Sequence, residues 1–260
     1  MKSIIRSLMF RIWYWYINKV DKEADILFMN YGYEDPNMEV SLDEQDEADR
    51  YSIQLYHRLA STVDLKSKEI VEIGCGRGGG LAYITKTFSP SGALGIDLDS
   101  RAANFGNKHY HLEGLKFMQG DAQNLPLDDN SYDVVINVES SHRYPDFKSF
   151  LSEVSRILKP DGYFLFTDFR YHYEMDDFKE AIGSLGLHLL EEININQNVA
   201  DALKLDSVRR EDLVQKLAPK ILHKTALNFA GALGSETYNQ ILSGEYVYFM
   251  YIFQKRLIKD

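Results

Sequence analysis

The stretch VEIGCGRGGG, residues 71–80, joins an apolar run to the start of a helical pattern. Its glycines Gly74, Gly76 and Gly78 allow a tight turn and let the backbone approach a ligand closely. A glycine-rich loop alone is a weak signal, because it can serve a dinucleotide, a nucleoside or no ligand. The stretch therefore predicts a strand–turn–helix unit and leaves its ligand open.

Short apolar runs and helical segments alternate from residue 68 to about 170. Such alternation predicts βαβ units, and the near-continuous apolar runs agree with strands buried in a parallel sheet. We therefore predict an α/β fold with a doubly wound, mostly parallel sheet. The expected parts are N-terminal helices and a lid at 1–60, a ligand-binding core at 61–170, a helical lid at 171–235 and terminal strands at 236–260.

The composition excludes several classes of protein. The 260 residues, 45% of them hydrophobic, suffice for one large domain with a sizeable core. A net charge of −10 argues against binding of duplex nucleic acid, which needs a basic face. The single cysteine, Cys75, permits no internal disulfide, which fits a reducing compartment. We therefore expect a cytoplasmic protein without a nucleic-acid partner.

Residues 1–20 follow helical spacing and combine apolar, aromatic and basic side chains. One interpretation is a helix that packs on the domain, another is a helix that rests on a membrane surface, and a third is a dimer contact. Arg6 and Arg11 interrupt the apolar run, so it does not reach the ~18–20 residues that span a bilayer. The pattern leaves peripheral membrane association and a homodimer open.

Three carboxylates accompany the first three predicted strands. Glu72 lies inside the first strand, where an anion disfavours a pyrophosphate but suits a ligand ammonium group. Asp97 ends the second strand and can accept both hydroxyls of a ribose. Asp121 ends the third strand and can accept from an exocyclic amine, as on adenine. Together they describe S-adenosylmethionine better than NAD.

The segment 68–170 resembles the class I S-adenosylmethionine-dependent methyltransferases. The resemblance rests on the ordered set Glu72-x-Gly-x-Gly-x-Gly, Asp97, Gly120-Asp121-Ala122, YDVV and RILKPDGYFLFTD. It implies a Rossmann-like, seven-stranded sheet with the methionine end of the cofactor at the glycine loop. The residues that it assigns to the cofactor are Glu72, Gly74, Cys75, Gly76, Gly78, Asp97, Leu98, Gly120, Asp121, Ala122, Asn137 and Glu139.

Several of these positions have a second interpretation. Leu98 can pack on the purine or fill the core, and Cys75 suits a small apolar wall better than a nucleophile. Tyr31 and Tyr33 in the lid can close over a sulfonium, since aromatic faces attract cations, or can simply pack the lid. The spacing of carboxylates, Cys and His shows no magnesium or zinc pattern, so we expect no metal.

A wider resemblance covers residues 26–254 through the stretches FMNYGYEDP, YHR, VESSHRYPDF and GEYVYFMYIFQK. These are similar to the bacterial phthiotriolone and phenolphthiotriolone dimycocerosate methyltransferases, which O-methylate hydrophobic polyketide lipids. The resemblance implies that the acceptor is a hydroxyl on a hydrophobic small molecule. It does not imply the same substrate, because lid segments change specificity on an unchanged core.

Methylation of a hydroxyl requires a general base. His142 follows the fourth strand, and the carboxyl ends of strands form the ligand side of such sheets. We predict that His142 is the base and that Asp168, at the end of the fifth strand, orients it or shares its role. The alternatives are a helix cap or surface residue for His142 and a strand-end cap for Asp168.

Two other functions use the same cofactor set. One is methyl transfer to carbon on an isoprenoid or sterol-like acceptor, and the other is a cofactor-binding cyclase or partner-binding module that transfers no methyl group. Methylation of nucleic-acid bases is disfavoured by the negative charge. It is also disfavoured because the end of the fourth strand lacks an Asn/Asp-Pro-Pro-aromatic motif.

Overall fold

The computed structural model describes residues 20–21 and 24–256. Seven of its strands form one sheet: β1 (Glu69–Ile73), β2 (Gly92–Asp97), β3 (Leu115–Gln119), β4 (Tyr132–Val138), β5 (Leu158–Tyr171), β6 (His188–Asn194) and β7 (Tyr246–Gln254). Their order is β3-β2-β1-β4-β5-β7-β6. β7 runs antiparallel to β5 and β6, and the other neighbouring strands are parallel. The predicted mostly parallel, seven-stranded sheet is confirmed.

Helices connect the strands and cover the sheet. They are α1 (Arg50–Ala60), α2 (Gly79–Phe88), α3 (Ser100–His109), α4 (Phe147–Ile157), α5 (Met175–Gly183), α6 (Asn196–Leu205), α7 (Ser207–Leu217), α8 (His223–Phe229) and α9 (Glu236–Ser243). Short 3₁₀ turns lie at Glu44–Asp49, Ser141–Arg143, His172–Glu174 and Lys220–Leu222. Among the described helices, none combines the length and the hydropathy needed to cross a membrane.

Both faces of the sheet are buried, which explains the continuous apolar strands. Ile70 packs with Ile136 in one hydrophobic cluster, whereas their sequence neighbours Val71 and Val135 pack in another. Successive side chains of a strand point to opposite faces, so the two clusters lie on opposite sides of the sheet. The sheet is therefore doubly wound.

The order of the strands reverses between β1 and β4. The chain builds one half of the sheet from β1 outward to β3 and then returns to begin the other half at β4. Loops that leave β1 and β4 diverge at this point and open a crevice at the carboxyl edge of the sheet. The glycine loop and the segment after β4 therefore meet at one edge.

Two of the expected parts contain elements that the patterns did not predict. Segment 171–235, expected to be helical, also contains β6, an edge strand with no buried residue and therefore no apolar run to mark it. Segment 236–260, expected to form strands, begins with α9, where the Ser235 hydroxyl accepts from the N–H of Tyr238 at 3.2 Å. The amphipathic pattern at 1–20 lies almost wholly outside the described residues.

Candidate active site

The loop after β1 contains three glycines in the left-handed region of φ: 76° at Gly74, 54° at Gly76 and 88° at Gly78. A Cβ at Gly74 would overlap the side chain of Ser140, and one at Gly78 would overlap the ring of Phe117. At Gly74 and Gly78 glycine therefore fits for two reasons, its backbone freedom and its lack of a side chain. The turn brings bare backbone to the carboxyl edge of the sheet.

A first cavity of about 660 Å³ opens at this edge, within the usual size range of small-molecule and cofactor sites. Nine of the predicted residues line it: Gly74, Cys75, Gly76, Asp97, Leu98, Gly120, Asp121, Ala122 and Glu139. Glu72, Gly78 and Asn137 are not among the residues that line it. Tyr31 lines a second, neighbouring cavity, and Tyr33 lines neither.

Asp97 ends β2, as predicted, and its carboxylate is held by two backbone N–H groups. Gly76 donates to Oδ2 at 2.9 Å, and Asp99 donates to Oδ1 at 2.9 Å. Burial raises the pKa of this carboxyl. Each oxygen keeps a further lone pair, so the fixed carboxylate can accept a pair of vicinal hydroxyls.

Glu72 lies within β1 and is completely buried. Its Oε1 accepts from the Tyr56 hydroxyl at 2.8 Å, while Oε2 has no hydrogen-bond partner. Burial raises the pKa of Glu72 to about 7. Tyr56 itself lines the first cavity, so Glu72 is connected to that cavity through the Tyr56 hydroxyl. An unsatisfied buried carboxyl oxygen fits a nearby cationic ligand group.

The other end of the first cavity is more open. Asp121 lies two residues after the end of β3, not at its end, and accepts from the N–H of Gln123 at 2.9 Å. Leu98 is 56% exposed and lines the cavity, so it does not fill the core. The Asp121 carboxylate can accept from the amine on the edge of an adenine, and the exposed Leu98 side chain can pack on the face of the ring.

Asn137 braces the loops instead of lining the cavity. It is fully buried, and its Nδ2 donates to the carbonyl of Ile73 at 2.8 Å and to the hydroxyl of Ser140 at 2.8 Å. The Ser140 hydroxyl also lies 2.9 Å from that of Tyr144. This network ties the end of β1 to the segment after β4.

The second cavity, about 130 Å³, has mostly apolar walls. Helices α7 and α8 supply Leu213, Val214, Leu217, Ala226 and Phe229, and Ala218 and Ala230 follow these helices directly. The segment 26–31, which we call the strap, forms another wall, and residues 28–30 of the strap also line the first cavity. The two cavities are therefore neighbours with a shared wall.

Glu139 lines both cavities and directly follows β4. Its φ of 44° places a non-glycine residue in the left-handed region, a strain that persists only where surrounding contacts enforce it. Its Oε1 accepts from the N–H of Tyr31 at 2.8 Å, so it also anchors the strap. Burial raises the pKa of Glu139 to about 8.

His142 lines the second cavity and is bound to Asp168. Its Nδ1 lies 2.7 Å from Asp168 Oδ1, and its backbone N–H donates to Oδ2 at 3.0 Å. The imidazole is only 5% exposed, which removes the surface interpretation. The helix-cap interpretation also fails, because Asp146 caps α4 by accepting from the N–H of Ser149 at 3.0 Å. Burial lowers the pKa of His142 to about 4.

Asp168 lies inside β5, three residues before its end at Tyr171, and not at the strand end. Burial alone would raise its pKa, but His142, Arg170 and Ser141 together hold it well below its ordinary range. The Ser141 hydroxyl donates to Oδ2 at 2.6 Å, and Arg170 Nη1 lies 3.2 Å from the same oxygen. The carboxylate is therefore ionised and fixed.

Arg170 is a residue that the sequence analysis missed. Its guanidinium also lies over the rings of Phe147 and Phe178, 5.1 and 5.0 Å from the centroids. The available signal was its position two residues after Asp168 on one strand, because such residues share a face. Arg209 and Arg210, which line the second cavity, were missed as well; they lie on a helix that no motif marks.

The first cavity thus combines a glycine turn, a fixed carboxylate at β2, an acceptor after β3 and the buried carboxyl of Glu139, with the buried carboxyl of Glu72 behind the Tyr56 hydroxyl. This donor set fits a nucleoside that carries an ammonium and a sulfonium group. Within residues 20–21 and 24–256, no group of three or more His, Cys, Asp or Glu side chains is placed to hold a metal ion. The expectation of a metal-free site stays a prediction.

Comparisons with known proteins agree with this geometry. Residues 71–166 match a family model described as a methyltransferase domain. The chain is 41% identical to a fatty-acid O-methyltransferase of Mycolicibacterium smegmatis over 93% of this chain and 88% of that one. It is 40% identical to the phthiotriol/phenolphthiotriol dimycocerosates methyltransferase of Mycobacterium tuberculosis over 94% and 92% of the two chains.

A solved structure shows the same fold at lower identity. It is the geranyl diphosphate C-methyltransferase of Streptomyces coelicolor A3(2) in complex with Mg²⁺, geranyl diphosphate and S-adenosyl-L-homocysteine. The TM-score is 0.66 at 16% identity, over 93% of this chain and 95% of that one. Fold, donor set and end-to-end similarity agree, and the chain belongs to the class I S-adenosylmethionine-dependent methyltransferases, in the family of the two mycobacterial enzymes.

Proposed function

We propose that the protein transfers a methyl group from S-adenosylmethionine to a hydroxyl of a hydrophobic, lipid-like molecule, with His142 as the general base. The observation that carries the proposal is that His142, paired with the buried Asp168, lies on the wall of an apolar cavity that adjoins the first cavity. The two mycobacterial relatives, named for a fatty acid and for a phthiotriol lipid, support a lipid acceptor.

In this proposal the first cavity holds the cofactor. Asp97 would accept the ribose hydroxyls, Asp121 the adenine amine, and the turn at Gly74 and Gly76 would face the methionyl end. When bound, the cofactor supplies an electrophilic methyl group on a sulfonium centre. Glu139 lines both cavities, so the wall that they share is where donor and acceptor can meet.

The protonation state of His142 suits a base. With a pKa of about 4 its imidazole is neutral at pH 7 and can accept a proton. If Nδ1 carries the hydrogen that Asp168 accepts, the lone pair is on Nε2. The acceptor hydroxyl would then pass its proton to Nε2, and the imidazolium would be stabilised by the ionised Asp168. The apolar walls would exclude water from the step.

The test is His142→Ala with a long-chain secondary alcohol as acceptor. Loss of a general base costs on the order of 10²–10⁴ in turnover. We expect that loss in kcat, measured as release of S-adenosylhomocysteine, while binding of S-adenosylhomocysteine to the variant stays within a few-fold. The matched control is His188→Ala, because His188 is exposed on the edge strand β6 and lines neither cavity. Turnover of His142→Ala within a few-fold of the wild type would refute the base assignment.

A carboxyl acceptor is the second candidate, and Arg209 and Arg210 on the wall of the second cavity favour it. Both are already paired with Asp206, each through Nε at 2.8 Å, which weakens their attraction for a ligand carboxylate. A carboxylate is ionised at pH 7 and needs no base. His142→Ala would therefore spare methylation of a long-chain fatty acid and lower that of the alcohol by on the order of 10²–10⁴, so one variant with two acceptors separates the candidates.

A further inference from the structure

The stretch from the second half of α7 to the residue before α9 has an unusual charge pattern for this chain. Residues 213–235 contain three lysines and no Asp or Glu, although the whole chain has a net charge of −10. Lys216 is exposed and pairs with Asp25 at 2.8 Å. Lys220 is exposed at the turn between the helices, and Lys224 is exposed in the first turn of α8. A small basic surface therefore stands out from an acidic molecule.

Exposed apolar side chains lie between these lysines. Ile221 is 91% exposed and Leu222 is 41% exposed, both in the 3₁₀ turn Lys220–Leu222. We call residues 220–224 the tip. His223 holds the turn locally, because its Nε2 lies 2.9 Å from the carbonyl of Ala218, the residue that follows α7. Apolar side chains flanked by lysines are typical of segments that bind the interface of an anionic membrane.

The tip is continuous with the second cavity. Leu217 and Ala218, directly before the turn, line the cavity, and so does Ala226 after it. The same helical hairpin therefore presents an apolar surface inward and the tip outward. A molecule bound at the tip and a molecule bound in the cavity would contact opposite sides of one short segment.

We propose that the tip docks on the surface of an anionic lipid bilayer and that the hydrophobic acceptor passes from the bilayer into the second cavity along α7 and α8. The second part rests on the proposed function, and the docking does not. A second copy of the chain is a poorer occupant, because a two-fold contact at the tip would bring lysines against lysines. An anionic bilayer complements both the charge and the apolar side chains.

The experiment measures cosedimentation of the full chain with vesicles of equal parts phosphatidylglycerol and phosphatidylcholine and with vesicles of phosphatidylcholine alone. We expect binding to the anionic vesicles only, weakened by salt. The double variant Lys220→Glu/Lys224→Glu should weaken that binding by at least about tenfold, since one lysine at an anionic surface contributes roughly fivefold. Ile221→Glu should weaken it by at least about tenfold as well, because it replaces an apolar side chain of the interface by a charge that anionic lipids repel. The matched control is Leu190→Glu/Lys66→Glu, which changes exposed residues away from the tip.

Methylation provides an independent second measurement. We expect the tip variants to keep wild-type turnover on acceptor dispersed in detergent and to lose turnover on acceptor embedded in anionic vesicles. Vesicle binding is measured without methyl transfer, so failure of the proposed function leaves the docking result intact. Unchanged vesicle binding in the tip variants would overturn the proposal, and so would a tip-dependent dimer in solution that excludes vesicles.

Discussion

At the scale of single residues, the proposed site depends on titratable groups that the fold shifts in opposite directions. Burial lowers the pKa of His142 to about 4 and raises that of Glu139 to about 8, although both lie in the segment after β4. Asp168 is nevertheless ionised, because its carboxylate pairs with Arg170 and accepts a hydrogen bond from the Ser141 hydroxyl. A neutral histidine, a protonated glutamic acid and an ionised aspartate thus coexist near pH 7 beside the second cavity.

Asp168→Asn tests the positioning of His142. An amide in place of the carboxylate no longer favours hydrogen on Nδ1, and it cannot stabilise an imidazolium. We expect kcat for the alcohol to fall by about 10²-fold or more, with KM for the cofactor within a few-fold. A merely structural role would instead change both constants together. The control is Asp133→Asn, because Asp133 also pairs with a basic side chain, Lys159 at 3.0 Å, but at the start of β4.

Glu139→Gln should change how stability depends on pH. Glu139 has a pKa of about 8 in the folded protein against an ordinary value of 4.5, so the folded state binds the proton more tightly. Its contribution to stability is complete below pH 4.5 and is lost as the pH rises through 8. The variant lacks this loss. Its free energy of unfolding should therefore rise relative to that of the wild type by on the order of 1 kcal/mol per pH unit in that window.

Denaturant unfolding at several pH values between 5 and 8 measures this difference. The free energy of unfolding of Glu139→Gln should approach or exceed that of the wild type as the pH rises. Exposed Glu113→Gln is the control. Parallel curves for Glu139→Gln and the wild type would show that Glu139 is ionised across the window.

At the scale of elements, the glycine turn and the strap hold the site together. The turn packs against β3 through Phe117, and the strap is fastened from two sides. The N–H of Tyr31 donates to Glu139, and Arg210 on α7 donates to the carbonyl of Tyr31 at 3.1 Å. A helix of the second cavity is therefore connected through the strap to the end of β4.

Gly78→Ala tests how closely the turn is packed. The substitution meets two obstacles, a φ of 88° and overlap of the new Cβ with the Phe117 ring. Gly244→Ala is the matched control, because Gly244 has a φ of 76° and no atom within 4 Å of an added Cβ. We expect thermal or denaturant unfolding to show a loss of about 1 kcal/mol for the control and at least ~2–4 kcal/mol for Gly78→Ala. Equal losses would mean that the Phe117 ring moves aside.

At the scale of the whole molecule, one acidic domain presents two different surfaces. The crevice at the carboxyl edge of the sheet holds the carboxylates of the first cavity, and the tip carries lysines and exposed apolar side chains. Peripheral membrane contact through residues 1–20 and a homodimer both stay predictions. The tip proposal needs neither, because its charge and exposure belong to residues 220–224.

Local sequence determined the fold class and most of the first cavity. Alternating apolar runs and helical patterns, the glycine turn and the carboxylates at fixed distances from it are short-range features, and a parallel sheet brings its strand ends to one edge. Nine of the predicted cofactor residues line the first cavity for that reason. The edge strand β6 was not predicted, because a strand with no buried residue carries no apolar run.

Only the tertiary structure decided the burial and partners of the side chains in the proposed acceptor site. His142 and Asp168 are 26 positions apart, and their contact depends on the pairing of β4 with β5. Arg210 reaches the strap across 179 positions of the chain, a contact that no local pattern encodes. Desolvation, which sets the pKa values of His142 and Glu139, depends on everything packed around a group. The sequence therefore determined which chemical groups the site contains, and long-range packing decided their charge and orientation.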